Sequence, residues 1–101
     1  MDRKQHIFTI FKKHRKELLQ MGVAMIGIFG SVVRGEDTSA SDYDILVEFD
    51  ETHHNFRSFN LLCDLIEKYI GENYDLVTKQ GLSQYLAEAI LLEVEYVDIT
   101  S

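Results

Sequence analysis

Asp42 and Asp44 stand at alternate positions, separated by ten intervening residues from the pair Gly30 and Ser31, and both features suit phosphate chemistry. On a strand, side chains two apart share a face, so these carboxylates would project together from Cα atoms about 6.5–7 Å apart. That separation suits divalent cations. Two Mg²⁺ ions about 3.5–4 Å apart, held by shared carboxylates and phosphate oxygens, can activate an attacking oxygen and stabilise a departing pyrophosphate. Mg²⁺ is the expected metal because the ligands are all oxygen. Such a centre needs a further carboxylate to complete it and to take the proton from the nucleophile, and Asp75, expected on a neighbouring strand, is the candidate. Upstream, Gly30 would let a phosphate approach the backbone, and the VVRG that follows Ser31 reads as the first turn of a short helix with N–H groups free for an anion. Ser31 adds a hydroxyl. Together they would hold the β and γ phosphates of a nucleoside triphosphate. Arg34 would neutralise phosphate charge from the same turn, with an ion pair to Glu36 or Asp37 as its alternative.

These groups need elements to carry them. VAMIGIF, residues 23–29, is apolar on both faces and predicts a central strand running into Gly30. YDILVEF, residues 43–49, alternates, with Tyr43, Ile45, Val47 and Phe49 on one side and Asp44, Leu46 and Glu48 on the other, and predicts a second strand. YDLVT, residues 74–78, predicts a third. Around them, Ile7, Ile10, Phe11, His14 and Leu18 fall on one face of a first helix that Gly22 would stop. Asn55 would cap a helix carrying Phe56, Phe59, Leu62, Cys63, Ile66 and Tyr69 towards the core, ended by Gly71. LSQYLAEAILLEV, residues 82–94, reads as a third helix with Leu82, Leu86, Ile90 and Glu93 in register, and EYVDIT as a short edge strand. Helix, strand, helical turn, strand, helix, strand, helix is the grammar of an α/β layer, with helices packed on a sheet. Strand order is not fixed by the pattern.

Composition sets the bounds. A chain of 101 residues, 46% hydrophobic and 27% charged with no proline, is expected to form one globular domain over residues 1–101. Cys63 is the only cysteine, so no internal disulfide can form. The N-terminus scatters charge through its apolar positions, unlike a signal peptide, and no apolar run is long enough to span a membrane, so a cytoplasmic location is expected. The net charge of −7 argues against general nucleic-acid binding. Residues 1–20 are basic, with six Lys or Arg against two acids, and the rest strongly acidic, with four against fifteen. The basic first helix reads as a solvated face rather than a surface for RNA or an acidic partner.

Gly30 and Ser31, ten intervening residues, then Asp42, Tyr43 and Asp44 resemble the GS, spacer, DxD signature of the DNA polymerase β-like nucleotidyltransferases. Arg34–Gly35, Ser41–Asp42 and the YDLVT around Asp75 look like its minimal nucleotidyltransferase branch, the antitoxin half of HEPN/MNT toxin–antitoxin pairs, and the similarity runs from the first helix to the AILLEVEYV tail. The resemblance implies a mixed sheet flanked by helices and Mg²⁺-dependent transfer of AMP from ATP to a tyrosine of a HEPN ribonuclease toxin, which silences it. It implies that Gly30 and Ser31 bind triphosphate, that Asp42 and Asp44 bind both metals, and that Asp75 serves as ligand and base. Val33 departs from the family's usual small residue in this turn. No second helical domain is present to grip adenine or acceptor, so acceptor recognition is expected to be borrowed from a partner.

A DxD alone on a strand edge reads as surface charge and a GS alone as a turn, but in register after a buried strand they form one signal. His53 and His54, adjacent in a loop, lack the separation of a preorganised metal pair and read as a solvated turn. Cys63 is read as core, Tyr43 as packing opposite the aspartates, and Phe8, Phe11, Phe56 and Phe59 as core or partner interface. Two alternatives to toxin modification stay open: neutralisation by binding alone, and transfer to a small molecule such as an aminoglycoside.

Overall fold

The computed structural model describes residues 2–52, 56–71 and 73–100. The expected Asn55 cap and the His53–His54 turn lie outside the described residues. The elements run α1 (Arg3–Lys13), α2 (Arg15–Gln20), β1 (Val23–Phe29), α3 (Ser31–Arg34), β2 (Tyr43–Phe49), α4 (Phe56–Tyr69), β3 (Tyr74–Thr78), a 3₁₀ turn (Lys79–Gly81), α5 (Gln84–Glu93) and β4 (Glu95–Val97).

The four strands form one mixed sheet in the order β3-β2-β1-β4. β1 pairs antiparallel with β2 and with β4, while β2 and β3 run parallel. A parallel neighbour cannot be reached by a tight hairpin, and α4 makes the crossover. The alternation of YDILVEF is realised directly: Tyr43, Ile45, Val47 and Phe49 are all buried, with Ile26, Ile28, Val97, Leu62, Ile66, Ile7 and Phe11 in the same core. By alternation, Asp44 points to the other face of the sheet.

Four expectations need correction. The first helix is two, interrupted at His14 (φ −103°, ψ 21°), whose ring stacks on Tyr69 with centroids 3.9 Å apart and whose Nδ1 lies 2.9 Å from Glu17. The interruption thus falls at the residue that stacks on α4. β1 is central as expected but not covered throughout, because Ala24 and Met25 are exposed beside a register shift against β2. Phe56 is 78% exposed at the start of α4, where Leu65 and the Ser58 side chain are buried instead. In α5, Leu86 shares a face with Ile90 and Glu93 as expected but is 54% exposed rather than core, and the half-buried residues are Ala87, Ile90 and Glu93.

The starts of α1 and α5 are both capped by side chains. Asp2 accepts from the Gln5 N–H at 2.7 Å in a capping box that opens α1, and Ser83 accepts from the Leu86 N–H at 3.2 Å to open α5.

Candidate active site

β1 ends at Phe29, which faces Asp44 across the antiparallel pair, so the Gly30–Ser31 turn that follows emerges beside Asp44. On the other side of β2, Asp44 is the register partner of Asp75 on β3. Adjacent strands lie about 4.7–4.9 Å apart, which makes these two carboxylates direct neighbours. Asp42 is exposed just ahead of β2. One end of the sheet thus collects Gly30, Ser31, Asp42, Asp44 and Asp75 from three adjacent strands.

Gly30 adopts φ 78° and ψ −154°, a region open essentially to glycine alone. A Cβ there would collide with Oδ2 of Asp44 and come within 2.9 Å of its Cγ. The position therefore requires glycine twice over, for backbone conformation and for the approach of the carboxylate. Ser31 then opens α3, a single turn held by Arg34 N–H to Gly30 C=O at 3.1 Å and closed by Gly35 in the left-handed region (φ 73°).

Two residues to which the sequence reading gave no role at the site hold this end together. Glu93, the last residue of α5, accepts from the Gly30 N–H at 2.9 Å and from Arg34 Nη1 at 3.0 and 3.2 Å. These bonds hold the Glu93 carboxyl below the usual carboxylate range, the Gly30 N–H contributing most. Arg34 pairs with Glu36 as well as Glu93, and both raise its pKa. Of its two expected alternative partners, Glu36 is real, whereas Asp37 pairs with Arg3. Arg3, at the start of α1, donates to the carbonyls of Thr38 (3.1 Å) and Ser41 (2.6 Å) and stacks over Tyr43 with its guanidinium carbon 4.5 Å from the ring centre. The polar spacer that delivers Asp42 is therefore pinned by the first helix rather than left to solvent.

The electrostatics are those of crowded carboxylates. The Asp44 pKa is raised, first by partial burial, then by the charges of Asp75 and Asp42, with Glu93 adding to them and Arg34 pulling the other way. A cation would relieve that repulsion. Among the described residues no three His, Cys, Asp or Glu side chains close a cage around a metal ion. The all-oxygen donor set fits a hard cation of the Mg²⁺ type, which keeps several waters and shares its remaining positions with phosphate oxygens.

Beside the centre, a cleft of about 710 Å³ between α4 and β3 is lined by Asp42, Phe59, Cys63, Asn73 and Tyr74. Cys63 is thus half-buried on a cleft wall rather than sealed in the core, and burial raises its thiol pKa.

Residues 11–97 match the nucleotidyltransferase domain family. The chain is 43% identical over 94 residues to the protein adenylyltransferase MntA of Thermococcus cleftensis, covering 92% of this chain and 94% of that one. A solved structure assigned as a minimal nucleotidyltransferase superposes with a TM-score of 0.71 at 30% identity, over 94% of this chain and 95% of that one. The fold is also that of the antitoxin in a complex with the tri-AMPylated HEPN toxin of Shewanella oneidensis, at a TM-score of 0.52 and 20% identity, over 84% of this chain and 69% of that one.

Proposed function

The chain belongs to the nucleotidyltransferase domain family, and from that membership we propose that it is a protein adenylyltransferase, moving AMP from ATP to a tyrosine of a HEPN ribonuclease toxin and so acting as its antitoxin. The observation that carries this reading is the register of β2 and β3, which sets Asp75 directly beside Asp44, one strand from the Gly30–Ser31 turn.

In this reading Gly30 lets the triphosphate approach the backbone closely, Ser31 adds its hydroxyl, and Arg34 lends charge to the leaving phosphates. Asp42, Asp44 and Asp75 would hold Mg²⁺, which supplies neutralisation of charge on the phosphoryl oxygens when bound. The acceptor tyrosine gives its proton to Asp75 as its oxygen bonds to the α-phosphorus; the bond from that phosphorus to the bridging oxygen breaks and pyrophosphate leaves. The accepted proton passes to solvent. The crowding that raises the Asp44 pKa is consistent with a centre built to receive a cation.

Glu93 positions this machinery without touching the reacting atoms. Glu93→Ala frees the Gly30 N–H and leaves Arg34 held by Glu36 alone, and a lost hydrogen bond to a charged group costs about 1.5–3 kcal/mol. The expected result is a KM for ATP raised roughly 10- to 100-fold with a smaller change in kcat. Glu93→Gln, which can still accept from Gly30, should fall between the two. Steady-state kinetics with varied ATP checks the order of the three proteins.

The function itself is tested by mixing the chain with ATP, Mg²⁺ and the product of the adjacent gene, then reading that partner by intact mass. Increments of AMP on a tyrosine are expected. Protection of cells from the partner with no increment would replace this reading by neutralisation through binding alone.

A further inference from the structure

Seven of the ten residues of α5 are apolar, yet none of the ten is buried. Tyr85 is 85% and Leu92 90% exposed, with Leu86 and Leu91 also open. A helix apolar on all sides is normally enclosed, and here only the stripe of Ala87, Ile90 and Glu93 is turned towards the protein. The outward side is therefore a face without a covering, not scattered surface leucines.

Its location says what comes to it. α5 ends at Glu93, whose carboxylate binds both the Gly30 N–H and Arg34, so the apolar face starts at the candidate centre and extends about 15 Å from it. Leu92, the most exposed of these residues, is adjacent in sequence to Glu93. A macromolecule resting on α5 brings its own surface to the edge of the site where Asp42, Asp44 and Asp75 gather. A second copy of the chain suits this face poorly: each copy carries −7, and the only charges on α5 are Glu88 and Glu93. A second copy would also crowd the entrance that an acceptor needs.

We propose that the outward face of α5, centred on Tyr85 and Leu92, is the docking surface for the protein that accepts AMP, and that the acceptor meets it with an apolar patch rimmed by Lys or Arg opposite Glu88. The proposal rests on the adenylyltransferase reading and supplies the surface which that reading lacks. An exposed tyrosine is the type of anchor that carries affinity in protein interfaces, and Leu92, two turns along the same face, adds apolar area beside it.

The test uses Leu92→Glu and Tyr85→Glu in the full chain, with the product of the adjacent gene as probe. Both side chains are solvated, so unchanged melting temperature and circular dichroism are expected for both. Titration calorimetry should show partner affinity weakened about 30-fold or more, with the Kd for ATP unchanged. The KM for the partner protein should rise by a similar factor while kcat at saturating partner holds. Partner affinity left unchanged in both variants would overturn the docking surface. So would a wild-type dimer that Leu92→Glu dissociates while partner modification continues, since that assigns the face to a second copy. If wild type binds the partner but no AMP appears on it, the adenylyltransferase reading fails and the docking surface is judged by the binding data alone. If wild type neither binds nor modifies the partner, both are overturned.

Discussion

Replacing Asp42 and Asp44 together by asparagine is expected to abolish AMP transfer, by roughly a thousand-fold or more, while leaving the protein folded. Loss of metal-held charge stabilisation costs several kcal/mol of barrier, and each factor of ten is about 1.4 kcal/mol. Intact-mass spectrometry of the partner is the readout. The same chemistry predicts an opposite effect on stability from Asp44→Asn alone. Burial and the charges of Asp75 and Asp42 raise the Asp44 pKa, so the folded chain favours the protonated form. The resulting gain for the folded state is fully present below about pH 4, the ordinary carboxylate pKa, and is lost as pH rises through the raised one. At neutral pH without metal, wild type therefore carries the repulsion and the asparagine variant does not. Thermal melts should place Asp44→Asn above wild type at pH 7, with the difference shrinking on acidification. A variant that melts lower at pH 7 would count against carboxylate crowding at this position.

Gly30→Ala should lose both stability and activity. The backbone at φ 78° and ψ −154° costs a non-glycine residue about 1–3 kcal/mol before any contact is considered. The new methyl group must also displace the Asp44 carboxylate, which cannot stay where it is. The turn and the aspartate are thus coupled, and one methyl disturbs both proposed halves of the centre. Gly35→Ala is the matched control: it too has positive φ (73°), but a Cβ there meets nothing within 4 Å. Its cost should be confined to the backbone, so denaturation curves should show a moderate loss for both variants and transfer assays a severe loss for Gly30→Ala alone.

Much of the frame could be read from local pattern. The three long strands fall where apolar runs and alternation place them, because strand periodicity and burial leave a direct imprint on sequence. The Gly30 turn, the short helix after it and the edge strand at residues 95–97 were legible for the same reason. What local pattern does not record is pairing between distant segments. Asp75 could be nominated, but that it faces Asp44 follows from a parallel register made by a crossover. Glu93 lies 63 residues from Gly30, and nothing near either residue announces the bond. Arg3 is similar: a basic helix start looks solvated until the Thr38 and Ser41 carbonyls are found beneath it. The exposure of α5 was not legible for another reason. A helix apolar on nearly all sides carries little periodic signal, so its pattern could not say that Leu86 stays exposed while Ala87 is half-buried.

The parallel register of β2 and β3 also orders events in time. Asp44 and Asp75 are 31 positions apart, and no hairpin can bring them together; β3 must be made and the α4 crossover folded back before the two carboxylates meet. During synthesis at about 5–20 residues per second, Asp75 follows Asp44 by roughly 2–6 s. Through that interval a growing chain can display the Gly30 turn and the first aspartates with no third carboxylate beside them. Folding kinetics should therefore show the centre assembling late, after β1 and β2 have paired, as long-range contacts of this kind do. On the proposed reading, competence for AMP transfer is then a property of the finished sheet, and a chain still being made lacks the carboxylate that completes the centre.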